Sequence, residues 1–183
     1  MPRILIVAPN WIGDCVAAQP LLMWLAARRP DCSITALAPR WVAPALAAMP
    51  EVTDVITNPF GHGPLELLAR RRFAKTLPGF DEAYVLPNSW KSALIPFFAG
   101  IPVRVGFTGE ARYGLIKRRH RLDEKRLPLQ VERYAQLAET PGAELERPLP
   151  YPRLARSPAA VEATLAELGL TGQPRPVVLC PGA

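Results

Sequence analysis

The sequence predicts an α/β fold, a doubly wound and mostly parallel sheet of Rossmann-like type. Three observations predict it. Short apolar runs alternate regularly with helix-length segments up to about residue 140. The first run, RILIVAP at 3–9, is continuously apolar, as in a strand buried on both faces. The connections are short, and proline, glycine or asparagine marks many of them.

After the first strand, CVAAQPLLMWLAARRP at 15–30 carries apolar residues at helical spacing, with Arg28 and Arg29 at its cation-favouring end. Pro20 removes a ladder hydrogen bond there, so a kink is expected. CSITALAP (32–39) reads as a strand, WVAPALAAM (41–49) as a short helix, and VTDVITNP (52–59) as the third strand. PLELLARRRFAKTL (64–77) is amphipathic, with Pro64 suited to a first helical position. EAYVLPN (82–88) is the fourth strand, SWKSALIPFFAG (89–100) a helix capped by Ser89, and VRVGF (103–107) the fifth strand. A loop rich in glycine and charge follows, then a helix at 129–140.

The texture changes at Pro141. Residues 141–158 are proline-rich and lack periodicity, as expected of a linker or a crossing over the domain surface. SPAAVEATLAELGL (157–170) reads as a capped helix, and PVVLCPGA (176–183) as a new buried strand. The expected division is a domain over 1–150, with 151–183 as linker and the start of a second α/β domain.

Composition narrows the functional classes. The chain of 183 residues is 49% hydrophobic and 21% charged, a globular balance. Its formal charge of +6 suits an anionic partner or a merely soluble, arginine-rich surface. Cys15, Cys32 and Cys180 show no pairing or metal-ligand spacing and read as reduced thiols of a cytosolic protein. No apolar run is long enough to span a membrane, so a membrane contact is expected to be peripheral. His62 and His120 are far apart, and no metal site is expected. A nucleic-acid reading lacks both a glycine-rich phosphate loop and aromatic–basic interleaving, so no nucleic acid is expected as a partner.

The chemistry is expected on the carboxyl rim of the sheet, where open α/β sheets bind ligands. The first loop there offers Asn10, Trp11 and Asp14 around Gly13, but no G-x-G-x-x-G. Asp14 suits either a helix N-cap or a carboxylate aimed into a cleft. Asn88, Ser89 and Lys91 follow strand four and share that rim. RVGFTGEARYGLIKRRHR (104–121) holds Glu110, Arg112 and Tyr113 before a basic run, as an anion clamp or a solvated loop. LIPFFAGI reads as core, and ARRRFAK (69–75) as a basic helix surface.

Several segments in order resemble the ADP-heptose:lipopolysaccharide heptosyltransferases, most closely those adding the second heptose of the inner core. They are PNWIGD at 9–14, MPEVTDVI at 49–56, GHG at 61–63, LPNSWKSALIPFFAGIPVRVGFTGEARYGLI at 86–116 and CPGA at 180–183. The resemblance implies a GT-B fold, in which this chain supplies the acceptor-binding N-terminal domain and a second domain binds ADP-heptose. It implies inverting transfer with Asp14 as general base and no covalent enzyme intermediate; no cofactor is expected. The candidates for acceptor binding are then Asn10, Asn88, Ser89, Lys91, Glu110, Arg112 and Tyr113, with Gly13 allowing close approach, and Arg112, Lys117 and arginines 70–72 are candidates for steering it. The acceptor is then the Kdo- and heptose-bearing inner core of lipopolysaccharide, and the enzyme is cytoplasmic, against the inner membrane. The donor motif continues past CPGA, so this chain alone is not expected to bind donor or turn over. The alternatives are a GT-B enzyme for another acceptor, such as heptosyltransferase I, which calls for a loop other than FTGEARYG, and a non-catalytic basic Rossmann-like module.

Overall fold

The computed structural model describes residues 1–61, 63–172 and 179. Six strands form one sheet: β1 (Arg3–Val7), β2 (Ser33–Ala38), β3 (Asp54–Thr57), β4 (Glu82–Val85), β5 (Val103–Phe107) and β6 (Arg118–His120). Every pairing is parallel, and the order is β3-β2-β1-β4-β5-β6. The chain thus winds outward from β1 in one direction and then from β4 in the other, the order of a dinucleotide-binding sheet. The ligand-binding crevice of such a sheet lies beyond the carboxyl ends of β1 and β4, where the winding reverses.

The continuous apolar strands bury both faces. On one face Ile4, Ile6 and Ala8 of the β1 segment, with Ile34, Tyr84 and Val105, pack against α1 (Ile12–Ala17), α2 (Gln19–Arg28) and α6 (Gln130–Gln136). On the other face Leu5, Val7, Ala83 and Val85 meet Ala74 of α4 (Leu67–Ala74) and Leu94 and Ile95 of α5 (Leu94–Phe98). The strict period of two in β1 assigns alternate residues to the two layers.

Several elements depart from the sequence expectation. The first helical stretch begins at Ile12 and is two helices that meet at Ala18, so Pro20 falls in the first turn of α2, where its missing N–H costs little. Trp11, not Asp14, occupies the N-cap of α1, and Asp14 sits in the first turn. Pro64 lies outside α4, which starts at Leu67 behind Glu66 at φ 46°. Ser89 does cap the fourth connection, its Oγ accepting from Ser92 N, but the first turn there is a 3-10 helix, Trp90–Ala93. The short helix α3 (Ala43–Ala47) stays within its expected bounds. β6 lies inside the segment expected to be loop: three polar residues carry no apolar signature, and only pairing with β5 makes them a strand.

After α6 the chain runs back over the domain. Buried Gln19 donates from Nε2 to Arg153 O at 2.7 Å and accepts from Arg153 N at 2.9 Å, and Ala155 N donates to Ala48 O at 2.7 Å. The proline-rich segment is therefore a surface crossing held by the Gln19 side chain and one backbone bond. α7 (Pro158–Glu167) follows, with Ser157 at its N-cap making no side-chain bond and with none of its residues buried. His62, Cys180 and the strand expected at 176–183 fall on residues outside the described ones, apart from Leu179. Cys15 and Cys32 are free thiols.

His120, at the end of β6, is 2% exposed, and its Nε2 has no partner among the described residues. Burial first, and then the nearby Arg118, push its pKa down to about 4. The folded protein therefore resists a proton that the unfolded chain accepts near pH 6.5. This contribution to stability is complete above pH 6.5 and is lost as pH falls towards 4, up to about 3 kcal/mol. Urea titrations at pH 7 and pH 4.5 should show His120→Leu losing less stability on acidification than the wild type; equal losses would exclude the effect.

Candidate active site

The rim beyond β1, β4 and β5 is organised around Arg112. Its side chain is fully buried, and every donor direction of the guanidinium meets an oxygen. Nη2 donates to Phe107 O at 2.6 Å and to Asn88 Oδ1 at 3.3 Å. Nη1 donates to Pro87 O at 2.8 Å, Ser89 O at 3.3 Å and Ser92 Oγ at 3.3 Å, and Nε donates to Gly109 O at 3.1 Å. One cation thus ties the loop after β4 to the loop after β5. Close approach of the same loops also favours Gly109, where an added Cβ would lie 3.2 Å from the Asn88 Cβ.

Burial lowers the Arg112 pKa to about 10, partly offset by Glu110, so it stays charged at neutral pH. Arg112, expected at the acceptor, is buried here, positions the two loops and presents no donor to the rim.

Glu110 has a left-handed backbone, φ 50°, which its neighbour Ala111 shares at φ 54°. That conformation, uncommon for residues other than glycine, turns the Glu110 carboxylate back so that Oε2 accepts from Trp90 N at 2.6 Å. Ser89 and Glu110 together satisfy amides at the start of the 3-10 turn.

Beside this frame lies a cavity of about 290 Å³. Asn10, Ser89, Lys91 and Glu110 all line it, so four residues singled out from three separate sequence segments converge. Lys91 Nζ donates to Gly63 O at 2.6 Å. Asn88, Arg112, Tyr113, Gly13 and Asp14 do not line the cavity. Tyr113 is exposed beside Arg119, whose guanidinium carbon lies 5.7 Å from its ring centroid. Gly13 is exposed, and the space where a side chain would stand is open.

Asp14 is half-buried in the first turn of α1, on the side of the loop that faces α6. Its carboxylate accepts no hydrogen bond from the described residues. Its charge is felt by its neighbours: burial and then Asp14 raise the Cys15 thiol to about 12, and the Tyr134 hydroxyl is likewise raised to about 12, chiefly by burial.

Sequence reasoning assigned 69–75 to a helix surface and offered arginines 70–72 only together, as candidates for steering the acceptor, without separating Arg70 from its neighbours. Arg71 and Arg72 are indeed exposed, but Arg70 is only 4% exposed and lines the cavity. Its guanidinium carbon lies 4.4 Å from the Phe60 ring centroid, and its Nε donates to Leu65 O at 2.8 Å. Its two terminal nitrogens donate to no acceptor among the described residues. Arg70 pKa is lowered by burial. No sequence signal separates it from its neighbours except its helical spacing to buried Ala74.

The sequence profile of glycosyltransferase family 9 (heptosyltransferase) matches residues 70–183. The chain belongs to that family. It is 44% identical over 188 residues to lipopolysaccharide heptosyltransferase 2 of Escherichia coli strain K12, covering 99% of this chain and 54% of that protein. It is 43% identical over 191 residues to lipooligosaccharide heptosyltransferase 2 of Haemophilus influenzae, with the same two coverages of 99% and 54%. The solved structure of E. coli ADP-heptose lps heptosyltransferase II superposes with a TM-score of 0.84 at 40% identity, over 94% of this chain and 52% of that one. A glycosyl transferase family 9 structure from Veillonella parvula shares the fold at a TM-score of 0.75 and 15% identity, over 94% of this chain and 51% of that one. The chain spans about half the length of the relatives it matches.

Replacing Arg112 by Met would leave the carbonyls of Pro87, Phe107 and Gly109 without their donor. A loss of about 3–5 kcal/mol in urea unfolding is expected. Arg112→Lys should recover only part of it, because one ammonium cannot reach both loops. A loss below about 1 kcal/mol for the Met variant would refute the hub.

Proposed function

We propose that the intact protein is an inverting transferase that moves heptose from ADP-heptose to the first heptose of the lipopolysaccharide inner core. The chain at hand serves as its acceptor-binding half. The observation that carries the reading is Asp14: a carboxylate with no hydrogen-bond donor among the described residues, on the carboxyl rim of the central strand, one loop away from a polar, cationic cavity. The likeness at 40–44% identity over 99% of the chain to heptosyltransferase 2 enzymes supplies the substrate class.

The reaction is a single displacement. The acceptor hydroxyl oxygen attacks the anomeric carbon of the donor, the bond from that carbon to the diphosphate oxygen breaks, and ADP leaves with the electron pair. Asp14 takes the hydroxyl proton as the new bond forms. The carboxylate is suited to this role because no donor among the described residues competes for its oxygens. ADP departs as a stabilised anion, so the acceptor half need supply no acid.

The cavity holds a second part of the acceptor. Arg70 and Lys91 suit its carboxylate or phosphate groups, and Ser89, Glu110 and Asn10 suit its hydroxyls. Residues 151–183 lead into the donor-binding domain of a GT-B pair. The protein acts at the cytoplasmic face of the inner membrane as a peripheral enzyme, and among the described residues no helix is long and apolar enough to cross a membrane.

Transfer assays on the intact gene product, with ADP-heptose and a heptose-terminated inner-core acceptor, test the base directly. Asp14→Asn should lower kcat by about 10²- to 10⁴-fold with little change in either KM. Undiminished turnover would remove Asp14 from the mechanism.

The donor assignment has a separate check on the chain of 183 residues. Its melting temperature should not move with millimolar ADP, whereas a ligand held at a hundred times its Kd would stabilise by about 2.7 kcal/mol. A clear upward shift would place donor binding on this half.

A further inference from the structure

Trp41 lies on the turn between β2 and α3, at the same rim as the cavity and lining it. Its backbone is anchored by the next residue, Val42, which is fully buried and donates its N–H to Pro39 O at 3.2 Å. Its indole Nε1 donates to Asn10 O at 2.8 Å. The one polar atom of the ring is therefore bound within the protein, yet the residue remains 58% exposed. A large apolar ring is held in a set orientation with much of its surface in water. Such a ring gains nothing for the fold from that exposure; it gains when something covers it.

The surroundings identify what covers it. Behind the ring the cavity presents a guanidinium from Arg70, an ammonium from Lys91, the Ser89 hydroxyl and the Glu110 carboxylate. A lipid chain could use none of the hydrogen-bonding capacity these groups have left, least of all the terminal nitrogens of Arg70, and is a poor match. A sugar ring has both characters: hydroxyls and acidic groups around its edge, and a face of C–H bonds. C–H groups carry slight positive charge and pack on the negative face of an indole. An aromatic wall beside charged and hydroxyl groups is the complement of a pyranose with an acidic substituent.

We propose that Trp41 is the stacking platform for an acidic sugar ring of the acceptor, and that its hydrogen bond to Asn10 sets the ring's angle to the cavity. This rests on the acceptor-binding reading above. It assigns to the β2–α3 turn a part in choosing the acceptor, separate from proton transfer at Asp14.

The test uses the intact gene product and a delipidated inner-core oligosaccharide of heptose and Kdo, with binding followed calorimetrically and transfer followed with ADP-heptose. Trp41→Ala should raise the oligosaccharide Kd and the acceptor KM about tenfold or more, leaving the ADP-heptose KM and the melting temperature nearly unchanged. Trp41→Phe keeps an aromatic face but loses the bond to Asn10, and should stay within about threefold of the wild type.

An alanine variant that binds the oligosaccharide as tightly as wild type overturns the platform while leaving the transferase reading intact. A phenylalanine variant as poor as the alanine one also overturns it, since an aromatic face at this position would then contribute nothing to binding. If the alanine defect appears only with lipid-bearing acceptor, the ring meets lipid and the proposal fails. If wild-type protein binds no inner-core oligosaccharide, the acceptor reading itself fails, and the platform with it.

Discussion

A single buried cation fixes the geometry of the rim. Arg112 lies between two loops that leave neighbouring parallel strands, and parallel strands offer no hairpin to hold such loops together. Its guanidinium reaches backbone carbonyls on both sides, where no single neutral side chain could satisfy so many acceptors. Desolvating that charge is costly, and the cost is offset because each donor direction finds an oxygen. Ser89, Asn88 and Glu110 take their positions from this arrangement. The left-handed pair Glu110 and Ala111 is tolerated because the hub and the Trp90 amide hold the turn on either side.

Much of the fold is legible in the sequence because burial on both faces leaves a strong signature. Runs such as ILIV and ITALA have no polar face to place in water, which argues for a parallel sheet under two helical layers. The elements that escaped the reading share a cause. β6 is a polar triplet made into a strand by its partner, and the break at Ala18 follows from how Pro20 sits in a first turn. Neither has a local pattern that distinguishes it from loop or kinked helix. Tertiary pairing decides both.

The site was legible in its location and less so in its assignments. Knowing that β1 and β4 are adjacent is enough to bring Asn10, Ser89 and Lys91 to one rim. What side chains do there depends on burial, which charge alone does not reveal. Arg104 and Arg112 are buried and donate to backbone carbonyls, so part of the basic surplus serves the interior and offers no N–H to a ligand, whereas buried Arg70 lines the cavity. Arg112 looked like a ligand contact and is a scaffold; Arg70 looked like a helix surface and faces the cavity. The same residue type serves both ends because a guanidinium can satisfy carbonyls from within or present free N–H groups outward.

The loop after β1 joins the two halves of the site. Its first part is held by the cavity wall, where the Asn10 carbonyl accepts from Trp41. Its second part is held by the helical layer, where Cys15 and Ala18 are buried and the Cys15 thiol donates to Pro9 O at 3.5 Å. No side-chain cap fixes the start of α1, so packing of Cys15 and Ala18 sets where the first turn begins and hence where Asp14 stands. A carboxylate that capped its own helix would have its oxygens taken up by amide donors. With Trp11 at the cap position, Asp14 is held by the backbone and no donor among the described residues takes up its carboxylate, which suits the base proposed for it.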